Sequence, residues 1–162
     1  MLRRGKKQRF WRPVSSREEP PIRHARADLL WAIDVRKRII PVLLFDRRHR
    51  LVKTVQFGAR TYVGDPFNVV RLFNEKEVDE ICILDIDASA EGRPPDFGFL
   101  RELASECFMP MAYGGGITEV THCEQLNRAG IEKYVLGSSA VNDDLVRALS
   151  RDMGSQAVVA CV

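Results

Sequence analysis

The chain has 162 residues, of which 45% are hydrophobic and 29% are charged, and its formal net charge is +3 at pH 7. This composition is typical of a globular protein, and no run reaches the roughly 18 consecutive apolar residues that a membrane-spanning helix needs. The four cysteines are spread along the chain without a CxxC pair. This spacing favours buried thiols in a reducing cytoplasm over a disulfide or zinc framework.

The first 36 residues form a basic segment, with ten Lys or Arg against four Asp or Glu, whereas the rest of the chain carries fifteen against eighteen. A basic arm can indicate binding to nucleic acid or to a membrane surface. This arm holds no recognition motif, so we expect neither partner. We interpret residues 1–36 as a disordered N-terminal extension and residues 37–162 as the folded domain.

From Arg38 onward, short apolar runs alternate with amphipathic segments, which predicts βα units around a parallel sheet. An extended segment is expected over Leu51–Phe57. The predicted strands are Ile39–Leu44, Glu80–Asp85, Phe108–Tyr113, Lys133–Gly137 and Gln156–Val162.

The first helix is predicted to start at Asp65 and Pro66, because an aspartate cap accepts free N–H groups and proline fits the first helical turn. Its buried face is expected to consist of Val69, Val70, Leu72 and Phe73. The later helices are predicted over Pro95–Cys107, Thr118–Ala129 and Asn142–Met153.

An internal repeat indicates how these units are arranged. Val78-Asp79-Glu80 and Ile131-Glu132-Lys133 are similar, and each precedes an apolar strand. Two βαβα blocks of about fifty residues favour a (β/α) barrel of the TIM type, built by duplication, over a doubly wound sheet.

In such a barrel the chemistry lies where the strands end and the loops begin. Gly114-Gly115-Gly116 follows a predicted strand and precedes a helix, so its backbone N–H groups could approach a phosphate closely. A tight turn is the alternative explanation. Gly137-Ser138, at the next strand end, supplies a second small backbone cradle with a hydroxyl group, which favours phosphate binding.

Other polar residues at the strand ends allow several interpretations. Asp85 and Asp87 could bind a hydroxyl or an amine or move a proton, or could order the loop that follows them. Lys53 could bind an anion or be an ordinary surface lysine. The histidines at positions 24, 49 and 122 show no metal-ligand spacing, so we predict neither a metal nor a cofactor.

With these residues in view, the chain from about Lys37 to Val162 resembles the cyclase subunit of imidazole glycerol phosphate synthase, over roughly the first half of a family barrel. The combination of matching segments is specific. It consists of Lys37–Pro41, Val52-Lys53 with Phe57, Gly64–Pro66, Leu84–Ser89, Gly114–Ile117 and Gly154–Val159.

The resemblance implies a glutamine amidotransferase partner, whose ammonia enters the bottom of the barrel and meets a phosphorylated sugar or nucleotide-derived substrate at the top. It implies a phosphate site at Gly115, Gly116, Gly137 and Ser138, although the position of Gly137 is usually Asn in the family. It also implies catalytic roles for Lys53 and Asp85 and an ammonia gate formed by Arg38, Glu80 and Lys133.

Two departures bear on the expected activity. The family's first catalytic aspartate aligns with Leu44, which cannot transfer a proton, and loss of a general acid or base typically costs about 10²–10⁴-fold in rate. The second catalytic aspartate would follow Val162. A leucine at the first position resembles a side branch of the family that amidates sugars for bacterial surface polysaccharides.

We therefore expect a cytoplasmic, ammonia-using subunit of the sugar-amidation branch, present as an N-terminal half barrel of four βα units plus a fifth strand. One alternative is the cyclase subunit of histidine biosynthesis, and another is a non-catalytic half barrel. Because four or five strands cannot close a barrel, we also expect unpaired strand edges and a homodimer of half barrels.

Overall fold

The computed structural model describes residues 37–56 and 58–161, so the predicted disordered extension over residues 1–36 lies outside it. The described part of the chain forms seven strands that join into one sheet. The strands are β1 (Val42–Phe45), β2 (Leu51–Thr54), β3 (Arg60–Gly64), β4 (Ile81–Asp85), β5 (Met111–Gly114), β6 (Lys133–Leu136) and β7 (Val158–Ala160).

The order of the sheet is β3-β2-β1-β4-β5-β6-β7. The strands β1, β4, β5, β6 and β7 pair in parallel, and β2 and β3 extend the sheet beyond β1 as an antiparallel hairpin. Helices connect the successive parallel strands from β4 onward. This architecture confirms the predicted α/β class and corresponds to about half of a TIM-type barrel.

Four α-helices lie in the connections, and three of them are capped by a side chain. Their ranges are α1 (Pro66–Glu75), α2 (Phe97–Ser105), α3 (Val120–Arg128) and α4 (Asp143–Leu149). Asp65, Asp96 and Asn142 each accept a backbone N–H of the first turn at 3.1 Å. These bonds satisfy donors that a helix start leaves free, which confirms the predicted cap at Asp65.

The two faces of the sheet differ in how well they are covered. Because successive residues of a strand point to opposite faces, Ile81 and Ile83 face the helices, where they pack with Leu100 and Leu103 in a fully buried core. The opposite face, called the inner face below, carries Leu44, Leu84 and Val135. At its two ends Val42 and Val159 are 55% and 39% exposed.

The first strand begins later than predicted, at Val42 rather than Ile39. Pro41 has no N–H to donate to a ladder, and Ile39 and Ile40 are exposed. The extended segment predicted over residues 51–57 is also shorter, because β2 ends at Thr54 and the chain returns as β3. That hairpin was not predicted, since four of the five residues of β3 are exposed and show no buried alternation.

Two apolar residues expected inside are on the surface. Leu72 is 47% exposed on α1, whereas Val70 on the same helix is fully buried. Phe108, predicted to begin a strand, is 86% exposed in the loop before β5. Its N–H donates to the Asn74 side chain, whose amide group in turn donates to the carbonyl of Glu106. These bonds hold the loop outside the sheet.

The chain after β6 is less regular than predicted. Ser138–Val141 forms a short 3₁₀ helix, and the predicted helix over residues 142–153 divides into α4 and a π-helical turn at Ser150–Gly154. A further 3₁₀ turn precedes β7, so the last strand starts at Val158 instead of residue 156.

The cysteines are all free, and only part of the sequence expectation is correct. Cys123 is buried, but Cys161 is exposed. Burial raises the pKa of Cys82 to about 11 and that of Cys123 to about 12, so both thiols stay protonated at neutral pH. In the part of the chain that the structure describes, no helix is long and apolar enough to cross a bilayer.

Candidate functional site at the carboxyl ends of the strands

The loop after β5 depends on two glycines in the left-handed region, with φ of 130° at Gly115 and 66° at Gly116. A Cβ on Gly115 would lie 2.6 Å from the carbonyl oxygen of Asp85, and one on Gly116 would overlap the carbonyl oxygen of Arg93. Only glycine therefore lets this loop pack against the loop between β4 and α2. This packing explains both glycines without a ligand.

A pocket of about 310 Å³ opens beside these loops. Inside it, the N–H of Gly116 donates to Oγ of Ser89 at 3.2 Å. The polar residues that line the pocket, together with Gly116, are Ser89, Arg93, Thr118, Glu119, His122 and Ser138. The structure thus brings Gly116 and Ser138, two of the four predicted phosphate residues, to one pocket, whereas Gly115 and Gly137 adjoin it without lining it.

Gly137 has a different environment from the glycine pair. Its φ of −97° is negative, and a Cβ built on it meets no atom within 4 Å. Its place between β6 and the 3₁₀ helix therefore does not require a glycine for packing, and the space in front of it is open.

Asp85 is the last residue of β4, and its side chain is only 6% exposed. One carboxylate oxygen accepts the N–H groups of Asp87 and Ala88 at 3.0 and 2.9 Å. The guanidinium of Arg93 lies 3.2 Å from the other oxygen. These are the contacts of a carboxylate that orders the following loop, which was the alternative to a catalytic role.

Lys53, the other predicted catalytic residue, is an exposed residue of β2. Within residues 37–56 and 58–161 its side chain forms no hydrogen bond or ion pair. The structure therefore gives no hydrogen bond or ion pair between Lys53 and Asp85, and β1 lies between their strands in the sheet.

Asp87 forms an ion pair that sequence reasoning missed. Its two carboxylate oxygens accept from the guanidinium of Arg60 at 2.6 and 2.5 Å, and one also accepts the N–H of Arg47 at 2.9 Å. The hydrogen bond from Arg60 is the main cause that lowers the pKa of Asp87. No local signal marks this pair, since Arg60 lies 27 residues earlier in the sequence.

His49 is a second contact that sequence reasoning missed. Its ring stacks on Phe99 of α2, with ring centroids 4.1 Å apart and planes 6° from parallel. Its backbone has a φ of 56°, a conformation that non-glycine residues seldom adopt. Together with the Arg60–Asp87 pair, this stack fastens the hairpin of β2 and β3 to the loops at the carboxyl ends of the strands.

The three predicted gate residues meet at the opposite end of the sheet. Arg38 precedes β1, Glu80 precedes β4, and Lys133 is the first residue of β6. One oxygen of Glu80, Oε2, accepts from Arg38 at 2.6 Å and from Nζ of Lys133 at 2.5 Å. The Glu80 side chain is 4% exposed, so a nearly buried carboxylate is shared by two cations.

The Arg60–Asp87 pair predicts a pH-dependent stability. The lowered folded pKa of Asp87 stabilises the protein above the unfolded aspartate pKa of about 3.9, and this contribution is lost as pH falls through the folded pKa. We expect Arg60→Gln to lower Tm at pH 7 and to differ little from wild type near pH 2.

Thermal unfolding followed by circular dichroism at the two pH values measures this effect. Arg71→Gln is the matched control, because the Arg71–Glu106 pair is exposed on both sides and such pairs contribute little. Identical Tm values for wild type and Arg60→Gln at pH 7 would contradict the prediction.

Comparison with known proteins supports the resemblance noted in the sequence. The chain is 48% identical over 129 residues to a Pseudomonas aeruginosa protein provisionally named imidazole glycerol phosphate synthase subunit hisF2, covering 79% of this chain and 51% of that protein. A Leptospira borgpetersenii protein, provisionally named imidazole glycerol phosphate synthase subunit HisF, is 45% identical over 79% of this chain and 50% of its own length.

The Campylobacter concisus imidazole glycerol phosphate synthase subunit HisF is 38% identical over 127 residues, which are 78% of this chain and 50% of that protein. The chain thus spans about half the length of these curated relatives. The family model described as "Histidine biosynthesis protein" matches residues 38–162. The chain therefore belongs to the histidine biosynthesis protein family and is similar to its imidazole glycerol phosphate synthase cyclase subunits.

Proposed function

We propose that this chain is the ammonia-using barrel part of an enzyme that works with a glutamine amidotransferase to amidate a sugar in the cytoplasm. The observation that carries the proposal is the pairing of two features on one sheet. Arg38, Glu80 and Lys133 form a charged cluster at the amino ends of the strands, whereas Leu44 lies near the other end, where the family resemblance implies a proton-transferring aspartate.

The charged cluster supports a role as an ammonia gate. Glu80 anchors both cations through a single oxygen, and Lys133 is 26% exposed on its flexible stem. When Lys133 swings aside, Glu80 keeps its ion pair with Arg38, so the nearly buried carboxylate is not left unpaired. We propose that this movement admits ammonia from an amidotransferase docked at the amino ends of the strands.

Leu44 is the argument against imidazole ring formation. In β1 it alternates with the buried Leu43 and Phe45, and it pairs in register with Leu84 of β4. Its side chain therefore belongs to the inner face, where an aspartate would meet a substrate. The alternative, the cyclase subunit of histidine biosynthesis, is favoured by the name of the Campylobacter concisus relative.

The pocket at the carboxyl ends supports binding of a phosphorylated sugar or nucleotide-derived substrate. Ser138 supplies a hydroxyl donor to the pocket, and the loop at Gly116 borders the same space. Catalytic roles for Lys53 and Asp85 stay predictions. For Asp85 to move a proton, it would have to give up contacts that it makes with Arg93 and with the loop backbone.

Gly137 allows a test of the phosphate site. A substitution at Gly116 is unsuitable, because any Cβ there would disturb the packing against Arg93. We expect Gly137→Asp to weaken the binding of inorganic phosphate by tenfold or more (about 1.4 kcal/mol or more), because it places a carboxylate beside the anion.

Gly137→Asn is the matched control, since it adds a side chain of similar size without charge. Titration calorimetry with inorganic phosphate measures both variants. Wild-type affinity in Gly137→Asp would remove Gly137 and Ser138 from the proposed site.

Deleting the gene distinguishes the proposed function from its alternative. Sugar amidation predicts that the deletion strain grows without histidine and that mass spectrometry finds an amidated sugar missing from its surface polysaccharide. Re-expression should restore the sugar, and re-expression of a Lys133→Met variant should restore it less well. A requirement for histidine, relieved by the wild-type chain, would instead support the cyclase.

We also propose that the 162-residue chain associates with a second copy. Val42 and Val159 are exposed at the two ends of the inner face, and β7 pairs only with β6 among the described residues. Strand edges and apolar faces of this kind favour pairing with another chain. We expect sedimentation velocity at micromolar concentration to give a dimer, and a folded monomer at that concentration would contradict the proposal.

A further inference from the structure

We infer that His122 is an additional ligand-binding residue of the pocket at the carboxyl ends of the strands, and that its Nε2–H donates to the bound phosphate. The inference rests on the phosphate site proposed above and adds to it a residue that the sequence pattern did not single out. None of the segments that carry the family resemblance contains His122.

One edge of the His122 ring is already held in place. His122 lies in the first turn of α3 and lines the pocket. The backbone N–H of Thr118 donates to its Nδ1 at 3.4 Å, and the ring of Phe97 lies beside it with centroids 6.0 Å apart. These contacts engage the Nδ1 edge of the ring, and among the described residues no hydrogen bond engages Nε2, which we infer is available to a ligand in the pocket.

The bond from Thr118 determines the chemistry of that second edge. Because Nδ1 accepts a hydrogen bond, the proton of a neutral ring lies on Nε2, which makes Nε2 a donor. A protonated ring would also donate from Nε2, but its Nδ1 would then carry a proton and could not accept from Thr118. His122 therefore presents an N–H donor to the pocket whenever the Thr118 contact is kept.

The other polar groups that line the pocket bear on whether its ligand is an anion. Ser138 carries a hydroxyl group that can donate, whereas the guanidinium of Arg93 already donates to Glu91 at 2.7 Å and to Asp85 at 3.2 Å. Among the described residues that line the pocket, Glu119 alone carries a carboxylate, and it accepts from the hydroxyl of Thr121 at 3.0 Å. The hydroxyl of Ser138 and the Nε2–H of His122 are donors on the same pocket, and two donors suit an anion with several oxygens, which is the chemistry of a phosphate.

The size of the pocket indicates what the phosphate is attached to. A volume of about 310 Å³ is room for about ten water molecules at roughly 30 Å³ each. A phosphate group, with five heavy atoms, fills only part of this space. We therefore assign the pocket to a phosphorylated small molecule such as a sugar phosphate, with the phosphate between Ser138 and His122.

Two substitutions separate the donor at Nε2 from the structural role of the ring. The amide of Asn can reproduce the acceptor near Nδ1 but does not reach the position of Nε2, whereas the longer Gln places its N–H₂ donor near that position. We expect His122→Asn to bind inorganic phosphate and ribose 5-phosphate about tenfold more weakly than wild type, which is the loss typical of a hydrogen bond to a charged group. We expect His122→Gln to stay within about threefold of wild type.

Titration calorimetry on the full chain with both probes gives these affinities, and circular dichroism checks that the variants fold. If His122→Asn bound inorganic phosphate as tightly as wild type, or if both variants lost the same affinity, the inference about His122 would be overturned and the proposed phosphate site would stand. A loss confined to ribose 5-phosphate would also overturn it, because His122 would then contact the sugar. A wild-type chain that binds neither probe would overturn the proposed phosphate site and this inference together.

Discussion

The contact between the glycine pair after β5 and the loop after β4 is the constraint on which the rest of the carboxyl-end site depends. Carbonyl oxygens of Asp85 and Arg93 lie where side chains at Gly115 and Gly116 would have to be. The contact joins two neighbouring βα connections into one rigid unit. Asp85 then orders its own loop through two backbone N–H groups, and Arg93 is drawn to the rim of the pocket. Without this close approach the pocket would have no wall on that side.

The two ends of the sheet use charge in different ways. At the carboxyl ends, Asp85 and Asp87 each have an arginine partner and backbone donors, and these contacts order the loops around them. At the amino ends, Glu80 is shared between two cations that come from distant parts of the chain. The two ion pairs of Glu80 link the beginnings of β1, β4 and β6, and the pair with Lys133 crosses β5. Because two cations share one carboxylate, a net positive charge remains beside the inner face.

Much of the fold could be predicted from the sequence. Buried parallel strands produce continuous apolar runs, and capping residues such as Asp65 mark where the helices between them begin. The antiparallel hairpin could not, since the exposed strand β3 carries no periodic signal. The family resemblance named Arg38, Glu80 and Lys133 as one group, and the structure joins them through Glu80, while their role as a gate stays a prediction. The Arg60–Asp87 pair and the position of His122 in the pocket depend on tertiary contacts that no spacing in the sequence encodes.

The contrast between the packed glycines and Gly137 has a consequence for how this scaffold can diverge. Positions 115 and 116 are closed to substitution by sterics alone, whatever ligand the protein uses, so they preserve the shape of the pocket over time. A Cβ at position 137 meets no atom within 4 Å, so a side chain there would enter open space next to the pocket and could contact the ligand. New substrate preferences can therefore arise at Gly137 without a steric clash, while the adjoining wall of the pocket stays unchanged.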